Sequence, residues 1–314
     1  MNAAPLGSVP ANPRPEGGEA VFLYRDDICL RAARWPVPDG VTPKGTMLLL
    51  HGRTEFVEKY YEVITDLRTR GYAVFTFDWR GQGLSSRELD DPLRGYISDF
   101  QHYLEDMHFI LQSDFARDLA GPVYMLSHSM GGNIGLRYIH DYPGVVEKAV
   151  FCAPMLGIGP RPAQPALRTL TTGAVFVGRA KQEPFISKPG NPAEEPFSAN
   201  TVTGSEPRFE RTKDTIRAEP RLGLSGLSWQ WMTAAFRSMD VNWRRDFLEG
   251  MKTPSLIVGA GDERIVDPTC AERFAALSPV TEVTIIEGGM HELLMDQDVY
   301  REQFFAAMDE FLAR

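Results

Sequence analysis

Residues 123–132 read VYMLSHSMGG, and this stretch decides the fold. Its first residues form a short apolar run typical of a buried strand, and a helical pattern begins directly after it. Ser129 lies at the junction, with Ser127 two positions before it and Gly131 two positions after it. A tight strand-to-helix turn requires small residues at those two positions, because larger side chains would collide with the strand or the helix. The pattern therefore predicts a nucleophile elbow with Ser129 at the turn.

Similar apolar runs recur on both sides of this stretch and alternate with helical patterns. They cover residues 47–50, 73–77, 145–152, 255–258 and 283–286. Strands that are apolar on both faces indicate a parallel sheet covered by helices. We therefore predict an α/β fold of the hydrolase type, with a mostly parallel central sheet, formed by residues 20–157 and 241–314.

Two segments of the chain lack this alternation of strand and helix patterns. Residues 158–240 are rich in Pro and Gly, and a helical pattern returns only near their end. We predict that they form an inserted cap over the crevice at the carboxyl ends of the strands. Residues 1–19 are dominated by Pro, Gly and Ala, which predicts a flexible N-terminal tail.

A serine hydroxyl is a weak nucleophile and needs a base to accept its proton. His291 is the candidate, because it is the only histidine after residue 140 and it follows the last predicted strand. The imidazole in turn needs a carboxylate to orient it. Asp262 directly follows the strand before, and the chain order Ser129, Asp262, His291 is the order expected on this fold. Asp267 and Glu263 remain alternatives for the acid.

The negative charge that develops on a carbonyl oxygen during attack needs two hydrogen-bond donors. The backbone N–H of Met130 is one candidate, because it follows the nucleophile at a helix N-terminus. The backbone N–H of Arg53, in the loop after the strand that ends near Gly52, is the other. We expect neither a metal nor another cofactor, because the chain's three cysteines are too far apart to form a metal-binding pattern.

The overall charge argues against nucleic acid as a partner. The chain carries a formal net charge of −9 and has an isoelectric point near 5.3, so it repels phosphate backbones. The N-terminal residues lack the basic and apolar regions of a signal peptide, and no apolar run is long enough to span a bilayer. These features predict a cytoplasmic protein. The sequence makes no prediction of oligomeric state.

Four motifs together resemble the bacterial lysophospholipase and monoacylglycerol lipase group, which includes the serine aminopeptidase-like hydrolases. They are HGRTE (51–55), DWRGQGLS (78–85), SHSMGG (127–132) and GMHELL (289–294). The resemblance implies a capped α/β-hydrolase core, a triad of Ser129, Asp262 and His291, and oxyanion donors at Arg53 and Met130. The chain departs from the group at Ser127, where Gly or Ala is common, and at Arg53, where a small residue is common.

The resemblance favours hydrolysis of a small-molecule acyl ester, most specifically a monoacyl lipid, with at most transient membrane contact. A general short-chain carboxylesterase, an acyltransferase and an amidase use the same triad and remain alternatives, as does a binding scaffold without activity. Apolar residues in the predicted cap are candidates for lining an acyl pocket, although they are equally suited to a core of the cap itself. They are Trp229, Trp231, Met232 and Phe236.

Overall fold

A nine-stranded sheet forms the centre of the protein in a computed structural model that describes residues 1–117, 119–159, 163–184 and 190–314. The strands of the described chain are β1 (Asn2–Ala3), β2 (Glu19–Arg25), β3 (Ile28–Trp35), β4 (Gly45–Leu50), β5 (Tyr72–Phe77), β6 (Arg94–Gly95), β7 (Val123–His128), β8 (Lys148–Cys152), β9 (Gly226–Leu227), β10 (Ser255–Ala260) and β11 (Thr281–Ile286). The large sheet has the order β1-β2-β3-β5-β4-β7-β8-β10-β11. Its pairs are antiparallel from β1 to β5 and parallel from β5 to β11.

Helices cover both faces of this sheet. The α-helices of the described chain are α1 (Tyr61–Thr69), α2 (Gln101–Leu111), α3 (Met130–Asp141), α4 (Gln164–Ala174), α5 (Glu206–Ala218), α6 (Trp229–Asn242), α7 (Arg245–Gly250), α8 (Thr269–Leu277) and α9 (Asp298–Ala313). Apolar residues of α1 and α9 pack on one face, and those of α2, α3 and α8 pack on the other. Every residue of β4 and of β10 is buried, because both faces of these strands are covered. The predicted α/β fold is confirmed.

The chain between β8 and β10 contains α4 to α7 and the short strand β9. This strand pairs in parallel with β6, so it attaches the insertion to the loop that precedes α2. Helix α6 packs into the main hydrophobic core, although its residues lie in the range predicted as cap. The division of the chain into core and cap stays a prediction. Residue 118 of the predicted core and residues 160–162 and 185–189 of the predicted cap lie outside the described ranges.

The segment predicted as a flexible tail, residues 1–19, packs against the core instead. Strand β1 pairs with β2, and buried donors of the core bind carbonyl groups further along the segment. The hydroxyl of Tyr61 donates to the carbonyl oxygen of Gly7 at 2.8 Å, and Nε1 of Trp35 donates to that of Pro15 at 3.1 Å. The prediction was wrong because composition does not reveal partners that lie far away in sequence.

No helix within the described ranges combines the length and the apolar character needed to cross a bilayer.

Candidate active site

Ser129 lies in the sharp turn between β7 and α3. Its φ of 50° and ψ of −114° fall in a region that residues other than glycine rarely adopt. Such strain persists only where the surrounding structure holds it, and it is typical of functional sites. A Cβ atom on Gly131 would lie 2.5 Å from the carbonyl oxygen of His51, so a side chain there would push α3 away from the end of β4. The turn thus has the tight strand-to-helix geometry that a nucleophile elbow requires.

His291 lies within hydrogen-bond distance of Ser129. Its Nε2 is 3.0 Å from Ser129 Oγ, and its Nδ1 is 2.8 Å from Oε2 of Glu263. An ionised carboxylate can only accept, so Nδ1 carries the proton and the Nε2 of a neutral imidazole is free to accept the serine proton. Burial alone would raise the pKa of Glu263, but the interactions with His291 and with the backbone N–H groups of Ile265 and Val266 together outweigh it and lower the pKa. The carboxylate is therefore ionised at neutral pH.

The sequence-based choice of Asp262 as the partner of His291 is wrong. The Asp262 side chain is 45% exposed and pairs with Arg264 at 2.8 Å, whereas the Glu263 side chain is 2% exposed. Asp267, the other alternative, accepts from both the backbone and the hydroxyl of Thr269. After β10 the chain turns so that the second acidic residue, and not the first, points toward the histidine.

The two predicted oxyanion donors lie on either side of the nucleophile. Met130 is the first residue of α3, and Arg53 follows Gly52 in the loop after β4. A Cβ on Gly52 would lie 3.2 Å from Ser129 Cβ, which shows how closely this loop packs on the elbow. Within the described part of the chain, the backbone N–H groups of Arg53 and Met130 donate to no protein acceptor. Both can therefore receive a substrate oxygen.

The motif at residues 78–85 supports the loop that carries Arg53. Oε1 of Gln82 accepts a hydrogen bond from the backbone N–H of Thr54 at 2.6 Å. Thr54 has a positive φ of 62°, so this bond fixes a backbone conformation that threonine seldom adopts. Gln82 is thus a support for the loop rather than a group that reacts.

A buried ion cluster, made of Glu55, Lys59, His128 and Glu292, lies beside the reacting pair. Lys59 Nζ donates to Glu55 Oε1 at 2.8 Å and to Glu292 Oε1 at 2.7 Å. The imidazole of His128 lies between two acceptors, with Nδ1 3.0 Å from Glu55 Oε2 and Nε2 3.2 Å from the carbonyl oxygen of His291. Because both neighbours accept, both ring nitrogens donate, and His128 is an imidazolium.

The charges of this buried ion cluster support each other. Burial opposes the charged form of His128, but the Glu55 carboxylate outweighs it and raises the pKa of His128. Burial likewise opposes the charge on Lys59, and the carboxylates of Glu292 and Glu55 raise the pKa of Lys59 above its usual value. The backbone N–H of Gly52 also donates to Glu55, so the cluster joins the oxyanion loop, the elbow and the loop of His291. The sequence analysis missed it, since only the four-residue spacing of Glu55 and Lys59 is visible locally.

The cap residues predicted to line an acyl pocket are buried in the protein interior. Their exposures lie between 3% and 5%, and the members of the set are Trp229, Trp231, Met232 and Phe236. The centre of the Trp231 ring lies 5.7 Å from that of Phe100, the residue directly before α2. Trp231, Met232 and Phe236 pack in the main hydrophobic core, and not in a separate core of the cap, which was the alternative that the sequence left open.

A cavity of about 580 Å³ lies beside the predicted oxyanion loop. Its wall includes Arg53 and Glu292, which are the chain neighbours of Gly52 and His291. The cavity is thus lined by residues adjacent to the site, and Ser129 and His291 themselves are not part of its wall. Apolar side chains complete much of the wall, among them Val202, Phe209, Ile216 and Leu224. The cavity therefore offers both charged and apolar surface.

The site has the groups that nucleophilic acyl chemistry requires. A serine in a strained turn, a histidine and a buried carboxylate form a continuous chain of hydrogen bonds, with two N–H groups beside the serine. In the described part of the chain, His, Cys, Asp and Glu side chains form no group of three or more suited to a metal ion. The fold and the site are those of a serine hydrolase with the α/β-hydrolase fold.

Comparison with known proteins gives the family. Residues 41–298 match the family described as serine aminopeptidase, S33, and the chain belongs to that family of α/β-hydrolases. It is 30% identical over 306 residues to lysophospholipase L2 of Escherichia coli, covering 94% of this chain and 87% of the relative. It is 24% identical to a monoglyceride lipase of Saccharomyces cerevisiae, over 88% of each chain.

Solved structures show the same fold. The crystal structure of a soluble variant of the Saccharomyces cerevisiae monoglyceride lipase, in complex with a substrate analog, superposes with a TM-score of 0.73 at 20% identity. The superposition covers 94% of this chain and 96% of the lipase. The protein is accordingly a serine hydrolase of the lysophospholipase and monoglyceride lipase group.

Proposed function

We propose that the protein hydrolyses the carboxylic ester of monoacyl lipids, either lysophospholipids or monoacylglycerols, through an acyl-enzyme on Ser129. The observation that carries the proposal is the chain of hydrogen bonds from Ser129 Oγ through His291 to Glu263. The similarity to lysophospholipase L2 and to monoglyceride lipase supports the substrate class. The mixed polar and apolar wall of the cavity beside Arg53 suits a molecule with a charged end and an acyl chain.

Acylation begins when Ser129 Oγ attacks the ester carbonyl carbon and its proton passes to Nε2 of His291. The carbonyl oxygen takes the electron pair and becomes an oxyanion, which the N–H groups of Arg53 and Met130 stabilise. One such donor is worth about 10²- to 10³-fold in kcat. Glu263 stabilises the imidazolium that forms. The tetrahedral intermediate then collapses, and the alcohol leaves with the proton from His291.

Deacylation repeats these steps with water as the nucleophile. His291 Nε2 accepts a proton from a water molecule, whose oxygen attacks the acyl carbon on Ser129. The second tetrahedral intermediate uses the same two N–H donors. Its collapse breaks the bond to Ser129 Oγ, which takes back the proton from His291, and the fatty acid leaves.

A substrate panel tests the proposal. It compares a lysophospholipid, a monoacylglycerol, a short-chain ester and an amino-acid amide, with wild-type protein and with Ser129→Ala. We expect the monoacyl lipids to have the highest kcat/KM, and Ser129→Ala to lower kcat by about 10⁴-fold or more. A short-chain ester or the amide as the preferred substrate would contradict the lipid assignment.

Ser127→Ala is the matched control for this panel. It removes the same atom two residues earlier, near the end of β7, and among the described residues Ser127 Oγ has no hydrogen-bond partner. We expect Ser127→Ala to keep the wild-type kcat within about threefold, since no reacting group depends on it. An equal loss of kcat in Ser127→Ala and Ser129→Ala would mean that the substitutions disturb the local backbone, and that the Ser129 hydroxyl has no specific role.

A further inference from the structure

Among the described residues, the guanidinium of Arg53 has no counterion. Within the described residues it forms no ion pair, and its contacts are a long hydrogen bond of 3.4 Å to the carbonyl oxygen of Gly226 and the face of Trp231, 5.5 Å from the ring centroid. Loss of water around the group lowers the pKa of Arg53 to about 10, which leaves it charged at neutral pH. A desolvated guanidinium is unfavourable unless an anion pairs with it.

The other cations on the same cavity are already neutralised. Lys59 binds the carboxylates of Glu55 and Glu292, and Lys213 binds that of Glu210 at 2.8 Å. Arg53 also lines this cavity, but no carboxylate in the part of the chain that the structure describes pairs with it. Its positive charge is therefore available to a molecule that enters the cavity.

The exposed carboxylates on the cavity wall do not cancel this charge. Glu194 and Glu195 both lie at the solvent-exposed part of the wall, and Glu194 accepts a hydrogen bond from Asn191 at 2.9 Å. Water and salt screen exposed charges, whereas the guanidinium of Arg53 is partly buried and is screened less.

Arg53 is also next to the reacting centre. Its backbone N–H is one of the two groups available to the oxyanion, and Gly52 before it packs on Ser129. Because one residue supplies both that N–H and a side chain on the cavity wall, a substrate that occupies the cavity can contact both. A phosphate matches the planar fork of a guanidinium, which can donate two parallel hydrogen bonds to it.

We propose that the Arg53 guanidinium binds the phosphate of a lysophospholipid head group, and that Arg53 is thereby the residue that makes the enzyme prefer lysophospholipids to monoacylglycerols. This inference rests on the proposed function, because it names which of the two monoacyl lipids the site selects. The backbone of Arg53 serves the oxyanion and its side chain serves the head group, so the two roles are separable by substitution.

The first experiment measures kcat/KM for lysophosphatidylcholine and for a monoacylglycerol with the same acyl chain, in the same mixed micelles. The proteins are wild type, Arg53→Gln and Arg53→Lys, all of which keep the backbone N–H. We expect Arg53→Gln to lower kcat/KM for lysophosphatidylcholine by about 10- to 100-fold, the value of a charged hydrogen bond. The kcat/KM for lysophosphatidylcholine should therefore fall relative to that for the monoacylglycerol by at least about tenfold, and Arg53→Lys should recover part of this difference.

Arg87→Gln is the control for removal of a partly buried guanidinium. Arg87 donates to the carbonyl oxygens of Arg221 and Gly223 and forms no ion pair among the described residues, but it lines a different cavity. We expect its substitution to leave the ratio of the two kcat/KM values unchanged. Equal losses for both lipids in Arg53→Gln, or no loss for either, would overturn the inference.

A second readout separates this inference from the proposed function. Ether analogues of lysophosphatidylcholine and of monoacylglycerol cannot be hydrolysed, so their inhibition constants are measured against a short chromogenic ester. We expect Arg53→Gln to raise the constant of the phosphate-bearing analogue alone. If wild type cleaves only the short ester, the proposed function fails, but this constant still decides the role of Arg53. Equal inhibition constants in wild type and Arg53→Gln would contradict it.

Discussion

The carboxylate of Glu263 lies 2.8 Å from Nδ1 of His291, and both side chains are almost fully buried. The second carboxylate oxygen accepts hydrogen bonds from the backbone N–H groups of Ile265 at 2.7 Å and Val266 at 3.1 Å. Both oxygens are thus held, and the acid has little freedom to leave the histidine. Asp262, its chain neighbour, pairs with Arg264 at the surface.

Substitution at these two acidic residues should have very different effects. We expect Glu263→Gln to lower kcat by about 10⁴-fold, because the amide no longer holds the imidazole in the tautomer that accepts the serine proton. Asp262→Asn removes one exposed ion pair and should change kcat by less than about twofold. Initial rates with a water-soluble ester measure both. A greater loss of kcat in Asp262→Asn than in Glu263→Gln would instead identify Asp262 as the acid that orients His291.

The buried Arg31 should be a major contributor to stability. Its Nη1 and Nη2 donate to Glu58 at 2.6 and 2.7 Å, and its Nε donates to Asp78 at 2.7 Å. Arg31→Met leaves two buried carboxylates without a cation, so we expect a loss of about 3–5 kcal/mol in the free energy of unfolding. Urea denaturation measures it. Arg34→Met, on the same strand at a more exposed pair, should cost about 0–1 kcal/mol, and equal costs would contradict this account.

The ion pairs of Glu62 should make stability depend on pH. Burial alone would raise the pKa of Glu62, but Arg208, Arg301 and Arg211 outweigh it and lower the pKa to about 2. The unfolded value is about 4.3, so the folded state gains stability above that pH and loses it as the pH falls toward 2. We expect Glu62→Gln to cost roughly 1–3 kcal/mol at pH 7, and its Tm to fall less than that of wild type between pH 5 and pH 3.

Thermal unfolding monitored by circular dichroism measures this dependence. The control is Glu282→Gln, which removes a carboxylate that is 54% exposed and pairs with Arg314. The Tm of Glu282→Gln should depend on pH in the same way as that of wild type. A Glu62→Gln profile parallel to wild type would show that this carboxylate does not contribute to acid sensitivity.

Gln82 should affect catalysis although it touches no reacting atom. Its bond of 2.6 Å to the Thr54 N–H holds the loop that carries the Arg53 donor. Gln82→Met keeps the volume and removes the acceptor, so we expect the donor to shift and kcat to fall by about 10- to 100-fold. Because the nucleophile and its base remain, KM for a soluble ester should change by much less. A raised KM with an unchanged kcat would assign Gln82 to substrate binding instead.

The sequence predicted the features that depend on local pattern. The apolar runs identified the central strands, and the small residues around Ser129 identified the turn. His291 followed from its place after the last strand. These signals are local because sheet burial and steric limits act on neighbouring residues.

The features that sequence did not predict depend on tertiary packing. Asp262 and Glu263 are adjacent, and only the turn after β10 decides which one faces the histidine. The buried ion cluster joins residues 55 and 292, which are far apart in the chain. The N-terminal segment is ordered by distant donors such as Trp35. Trp231 and Phe236 are suited by type both to a pocket and to a core, and packing of α6 decides between them.

Labelling with a fluorophosphonate tests the central claim most directly, because the reaction needs an activated serine but no particular alcohol. Intact-protein and peptide mass spectrometry measure the rate and the site of labelling in the wild type, Glu263→Gln and Asp262→Asn. We predict a single adduct on Ser129, formed much more slowly in Glu263→Gln and at the wild-type rate in Asp262→Asn. An unlabelled Ser129 in folded wild-type protein, or an adduct on another residue, would contradict the account.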